Sequence, residues 1–207
     1  LRMGYWKGNE ALKGAEVSCE AGEARLAAPN PNASISLAAD QLTINAPALP
    51  QIRWITPDKP NLAFAFLDTV FDFDGGCVVE GALSVAPSNA LFAPAAGISL
   101  EQKNQQATAV LFETWGQTEI GTLRWASETH FESRDFTGVG CATVAGMPAG
   151  ETSSYRFLIR KGIFEIYLND MLVQTYSAAN LTGRIGFIVQ DGQGVFSRPK
   201  VWEMNLP

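Results

Sequence analysis

The stretch Tyr155-Arg156-Phe157-Leu158-Ile159-Arg160-Lys161-Gly162-Ile163-Phe164-Glu165-Ile166-Tyr167-Leu168-Asn169-Asp170-Met171-Leu172-Val173-Gln174-Thr175-Tyr176-Ser177 decides the fold class. It reads as three strands joined by two tight turns, Lys161-Gly162 and Asn169-Asp170, followed by a fourth strand from Gly183 to Gln190. Gly, Asn and Asp tolerate positive φ, which two-residue hairpin turns require. Side chains alternate along a strand, so Phe164, Ile166 and Leu168 fall on one face and Glu165 and Tyr167 on the other. The pattern predicts an antiparallel meander with one face in a core.

Outward from that stretch, short apolar runs punctuated by Gly, Asn and Pro continue in both directions. Glu16 to Glu20 and Ala24 to Ala28 read as strands around the turn Ala21-Gly22-Glu23. Ser34 to Leu37 and Leu42 to Asn45 alternate apolar with polar residues, and Ile52 to Ile55 reads as another short strand. Asn61 to Phe73 is apolar enough for a strand covered on both sides, and Asp74-Gly75-Gly76 turns it into Cys77 to Val85. Gly97 to Gln102, Thr108 to Thr114, Glu119 to Trp125, His130 to Phe136, Cys141 to Met147 and Val195 to Met204 complete the set. No long helix and no fixed repeat is predicted. Many short strands in a single domain, 1–207, mean an all-β, two-sheet antiparallel β-sandwich; varied strand lengths and long loops disfavour a closed barrel.

Composition bounds the function. The chain has 207 residues, 46% of them hydrophobic and 17% charged, which suits one globular domain with a good core. A net charge of −6 disfavours nucleic acid, whose phosphates call for a basic face. No apolar run approaches the ~18 residues that cross a bilayer as a helix, so no membrane partner is expected. The acidic balance suits an extracellular or a cytoplasmic location equally. Cys19, Cys77 and Cys141 are far apart and odd in number; three buried thiols is the plainer reading and one disulfide with a free thiol the alternative. Without a CxxC pair no zinc site, and no other metal or cofactor, is expected. Asn32-Ala33-Ser34 and Asn180-Leu181-Thr182 are glycosylation triplets, of consequence only in a secreted eukaryotic protein. The opening Leu1-Arg2-Met3-Gly4-Tyr5-Trp6 lacks an initiator Met and reads as the inside of a longer parent, with 1–14 as a connector to an upstream domain.

Two polar constellations are the catalytic candidates. Asp72 and Asp74, two apart on a strand, would project from one face about 6.5–7 Å apart, a spacing that glycoside hydrolysis tolerates. The simpler reading makes Asp74 the opening of a turn and Asp72 a solvated strand residue. His130, the single histidine, lies near Glu128, Glu132 and Asp135. A catalytic histidine needs a nucleophile or a substrate proton to serve, and no Gly-x-Ser-x-Gly elbow is present, so a packed or hydrogen-bonded histidine is the simpler reading. Five tryptophans, Trp6, Trp54, Trp115, Trp125 and Trp202, invite a sugar-stacking reading, against which stands their ordinary use as filler between sheets. Tyr5, Trp6 and Trp54, in loops, are the residues expected at a carbohydrate or domain contact.

The run Phe164-Glu165-Ile166-Tyr167-Leu168-Asn169-Asp170-Met171-Leu172, continued by Thr182-Gly183-Arg184-Ile185-Gly186-Phe187, resembles the C-terminal β-sandwich of glycoside hydrolase family 32, the invertase, inulinase and levanase group. The resemblance covers Arg156 to Trp202. It implies a concanavalin A-like jelly roll that follows a catalytic β-propeller. It also implies that the chemistry resides in that propeller, in Trp-Met-Asn-Asp-Pro-like, Arg-Asp-Pro and Glu-Cys motifs. None of these occurs here: Ser133-Arg134-Asp135-Phe136 lacks the proline, and Cys19-Glu20 reverses the last pair. The first expectation is therefore a non-catalytic accessory sandwich that packs on an upstream catalytic domain and contributes to carbohydrate binding. A stand-alone carbohydrate-binding module is the second, and a complete sandwich glycosidase or polysaccharide lyase using Asp72 with Asp74, or His130, the third. Homodimerisation through a sheet edge is compatible with each.

Overall fold

The computed structural model describes residues 12–19, 25–27, 32–38, 40–47, 62–88, 93–127, 130–135, 142–143 and 147–206, with the backbone alone for 25–27, 130–135 and 142–143. In chain order the strands are β1 (Lys13–Val17), β2 (Arg25–Ala27), β3 (Ser34–Ala38), β4 (Gln41–Ala46), β5 (Leu62–Phe66), β6 (Cys77–Pro87), β7 (Ala95–Gln102), β8 (Gln106–Glu113) and β9 (Gln117–Ser127). They continue as β10 (His130–Asp135), β11 (Ala142–Thr143), β12 (Ser153–Arg160), β13 (Ile163–Leu168), β14 (Met171–Ser177), β15 (Leu181–Gln190), β16 (Gly192–Ser197) and β17 (Lys200–Met204).

These strands form two antiparallel sheets. The first runs β14-β13-β12-β6-β16-β4-β3, with β17 on β6 and β1 on β17. The second runs β10-β9-β8-β7-β15-β5-β2, with β11 on β9. The predicted β-sandwich is the observed architecture. Its core lies between the sheets, where Ile98, Phe112, Phe187 and Val189 of the second face Ile44, Val79, Phe157, Ile166 and Phe196 of the first, all at most 1% exposed. Each such side chain contributes about 1.5–3 kcal/mol of burial.

Several local expectations change. β12, β13 and β14 form the predicted meander, but β15 leaves it and pairs with β7 and β5 in the opposite sheet. β1 and β2 are no hairpin, since β1 pairs with β17 and β2 with β5. The long strand expected from Asn61 ends at Phe66, and the segment after it is irregular up to Cys77. The strand expected from Val195 to Met204 is interrupted at Arg198-Pro199; proline supplies no ladder donor there. The segment from Ile52 to Ile55 lies outside the described residues, and only Ala142–Thr143 is described as strand in the run to Met147. Cys19 and Cys77 are buried free thiols, as read; Cys141 lies outside the described residues.

Both outer faces carry clusters of their own, so Glu165 and Tyr167 are buried rather than solvated. Tyr167 packs with Val78, Leu158 and Met204, and its hydroxyl donates to the Glu165 carboxylate at 2.8 Å. On the second sheet Phe64, Phe66, Leu123 and Trp125 gather on the face away from the core. The Phe66 and Trp125 rings stack with centroids 5.6 Å apart, although β15, β7 and β8 separate their strands. Four strand spacings in a flat sheet amount to about 19 Å. The sheet therefore curls with this face concave, and Gly186, Ser99, Ala107 and Ala109 keep its floor low enough for the rings to meet.

Candidate functional site

The rim of this concave face carries a groove of about 550 Å³ lined by Phe66, Glu101, the turn 103–105, Trp125 and Ser127, Thr182 and Arg184. Its origin is an irregularity in β15. Leu181 pairs with Gln102 and Ile185 with Leu100, so Thr182, Gly183 and Arg184 all stand opposite the single residue Glu101. Extra residues in one strand form a bulge that re-aims side chains. Gly183 makes it feasible: its φ is +90°, and a Cβ there would overlap the Phe71 carbonyl oxygen. That same carbonyl region is tied down, because the Phe71 N–H donates to the Gly183 carbonyl at 2.9 Å.

The bulge converges two donors on one buried carboxylate. Thr182 Oγ1 donates to Glu101 Oε2 at 2.7 Å, and Arg184 Nη1 donates to the same oxygen at 3.2 Å. Glu101 is 6% exposed. A charge so deep persists only when paired and hydrogen bonded. The Arg184 side chain is about a third exposed, and its buried Nε has no hydrogen-bond partner. The guanidinium is therefore fixed at one end and keeps unused donors at the other. The facing turn is built by Asn104 and Gln105, both in the left-handed region, and Gln102 anchors it by donating from Nε2 to the Ala179 carbonyl at 2.7 Å. The result is a polar rim of cation, carboxylate, hydroxyl and amide beside an aromatic wall, able to hold a ligand rich in hydroxyls.

The residues singled out in the sequence lie elsewhere. Asp72 and Asp74 are not on one strand face. They sit in the connection from β5 to β6, where Asp72 Oδ1 accepts the N–H groups of Asp74 and Gly75, each at 3.0 Å. That is an Asx-type turn. His130 opens β10 and pairs with Ser127 at a bulge; its side chain, and those of Glu132 and Asp135, lie outside the described set, as does Glu128. Tyr5, Trp6 and Trp54 lie outside the described residues. Among the described tryptophans Trp125 is groove wall and Trp202 is half-buried beneath Lys13, whose Nζ is 4.2 Å from the ring centroid. Trp115, in the turn between β8 and β9, is 65% exposed, and its indole N–H donates to Glu113 at 3.0 Å. Glu101 carries no sequence signal, whereas Thr182-Gly183-Arg184, within the run that resembles the family 32 sandwich, builds the groove.

No family profile and no curated protein matches this sequence. Solved structures do match in shape. The carbohydrate binding module CBM66 from Bacillus subtilis superposes with a TM-score of 0.54 at 10% identity, over 85% of this chain and 95% of its own. The potassium-bound carbohydrate recognition domain of Emp46p gives 0.56 at 8% identity, over 96% and 99%. A Bacillus subtilis protein of unknown function with a galectin-like fold gives 0.59 at 10% identity, over 94% and 99%. At such identities the likeness is one of fold: this chain is a β-sandwich of the galectin-like and lectin-like shape.

Proposed function

We propose that this sandwich is a carbohydrate-binding domain and that the groove at Glu101, Thr182 and Arg184 holds the sugar. The carrying observation is the bulge that aims Thr182 and Arg184 at one buried carboxylate and leaves guanidinium donors free beside Trp125. Sugar hydroxyls both donate and accept, so a rim that offers a carboxylate, an arginine fork and amide groups within one groove suits them. Likeness of fold to domains described as carbohydrate-binding supports the same reading.

Two settings are compatible with that role. The resemblance of Arg156 to Trp202 to the family 32 sandwich supports an accessory domain that packs on an upstream catalytic propeller of a β-fructosidase-like glycoside hydrolase. The fold likeness supports a stand-alone module equally. In either setting the described part of the chain offers little for catalysis, since the Asp72 carboxylate is engaged by two backbone amides. The test is a glycan array with fructans, galactosides and mannosides, followed by calorimetry on the strongest ligand. Arg184→Ala is expected to weaken that ligand by tenfold or more, of the order of one lost charged hydrogen bond. Wild-type affinity in Arg184→Ala would refute the groove as the site.

A further inference from the structure

The first sheet contains a notch that the groove does not involve. β6 pairs continuously with β12 on one side, but on the other its partner changes: the pairing with β16 ends at Phe196 opposite Leu83, and pairing with β17 begins at Lys200 opposite Glu80. Between them Arg198-Pro199 leaves the ladder. The Ala82 N–H that loses its partner donates to Ser197 Oγ at 2.8 Å, and the Arg198 N–H donates to the Asp40 carbonyl at 2.9 Å. The next strands out also diverge, since β4 continues from β16 and β1 from β17. Among the described residues no strand closes the gap.

A cleft of about 640 Å³ opens there, and it runs from the outer row Glu80, Arg156 and Lys200 inward to Tyr155 and Cys19. Gly81 makes room for the Tyr155 side chain there, because a Cβ at that position would overlap its hydroxyl. At the floor of the cleft lies a buried donor without a hydrogen-bond partner, the Tyr155 hydroxyl, in a residue 2% exposed. In the outer row Arg156 Nη1, also without a hydrogen bond, stands 3.6 Å from the Asp170 carboxylate. Buried donors are nearly always satisfied, so orphans that line a cleft point to an absent acceptor. Burial pushes the tyrosine pKa far up, which keeps the hydroxyl a donor. On the walls the charges alternate. Glu80 is held by Lys13 at 3.0 Å and by Arg156 at 2.7 Å, while Glu16 and Asp40 stand with Arg198 and Lys200 around the mouth. An anion would meet the carboxylates and a cation the basic groups. A neutral ligand whose hydroxyls both accept and donate meets neither penalty.

We propose that this cleft is a second carbohydrate site, on the sheet opposite the groove, and that it takes a neutral glycosyl residue whose oxygens accept from Tyr155 and Arg156. Only the ligand class rests on the carbohydrate-binding reading above; the site itself stands on the notch and the unpartnered Tyr155 hydroxyl at its floor. Two sites on opposite sheets make the domain bivalent, so it holds branched or neighbouring glycan chains by avidity.

The test is a titration of ¹⁵N-labelled protein with the methyl glycosides of glucose, galactose, mannose and fructose. Amides of Gly81, Ser154 and Arg198 report the cleft, and those of Thr182 and Arg184 report the groove. At least one glycoside is expected to shift the cleft amides saturably. Tyr155→Phe is expected to weaken that response about tenfold, the size of one lost hydrogen bond, with the groove titration unchanged. The unliganded Tyr155→Phe protein should melt no lower than wild type, since it loses only an unsatisfied hydroxyl. Cleft amides that stay silent to all four sugars overturn the proposal, and so does a Tyr155→Phe variant that titrates like wild type. Glucuronate or glucosamine binding the cleft more tightly than the neutral glycosides overturns it as well. A responsive cleft beside a silent groove supports the second site and overturns the groove reading; a responsive groove beside a silent cleft does the reverse.

Discussion

Thr182 donates its hydroxyl to Glu101, 81 residues away in sequence, at 2.7 Å. This contact joins β7 to the bulge of β15 and fixes one wall of the proposed sugar groove. Thr182→Val keeps the shape and removes one hydrogen bond to a buried charge, a loss of about 1.5–3 kcal/mol. Urea unfolding is expected to show that loss, together with weakened glycan binding. The double variant with Glu101→Gln should lose less than the sum of the two single losses, because each group is the other's partner.

Gly183 makes the convergence feasible, so its substitution tests the bulge directly. Gly183→Ala places a Cβ at φ +90°, against the Phe71 carbonyl. Left-handed strain costs about 1–3 kcal/mol before any clash is counted. A fall in melting temperature of several degrees is expected, with loss of groove binding greater than Thr182→Val causes. A variant as stable as wild type would mean that the three-against-one register is wrong.

Much of this fold was legible in the sequence. The strands β3 and β4, the pair of β7 and β8, and the meander from β12 to β14 follow from alternation and from turn residues at positive φ, Lys161, Asn169 and Asp170 among them. The exchange of β15 into the opposite sheet was not legible. A short turn at 178–180 looks the same whether the next strand returns beside its neighbour or crosses over. Register with β5 and β7, far upstream in the chain, decides the outcome. The groove was half legible. Gly183 is a bulge signal inside a strand pattern, but Glu101 sits in an ordinary alternating position, and only the tertiary pairing reveals its partners. Asp74 and the solvated Asp72 share the turn that the simpler reading gives to Asp74. That Asp72 belongs to this turn and not to a strand was hidden, because a carboxylate two residues from another looks alike in both.

The ion-pair cluster on the first sheet predicts an acid dependence. Burial alone would raise the Glu80 pKa, but hydrogen bonds and charges from Lys13 and Arg156 outweigh it and hold the carboxyl below its ordinary value. A depressed folded pKa contributes stability that is present above the unfolded value, 4.5, and lost as pH falls through the folded one. Wild-type stability is therefore expected to decline as pH drops below about 4.5, with Glu80→Gln showing a shallower decline over the same window. Equal slopes in the two proteins would assign the acid sensitivity to other groups.

The Cys77 thiol gives the opposite sign. Burial first, then the nearby Asp72 and Glu203 carboxylates, push its pKa up to about 12, and burial likewise raises that of Cys19. The thiolate is the reactive form, so neither thiol should react with a disulfide reagent at pH near 8 while the protein is folded. In the Cys141→Ser variant, fast labelling should be absent until denaturant is added, when two thiols react. A raised folded pKa also means stability that is full below the unfolded value of 9.0 and lost as pH climbs towards 12. Alkaline unfolding should accordingly begin later in the Cys77→Ala protein, once its lower starting stability is subtracted. Fast labelling that persists in a Cys19→Ser/Cys141→Ser double variant would show instead that the fold opens readily enough to expose Cys77, since Cys19 lines the cleft in the first sheet.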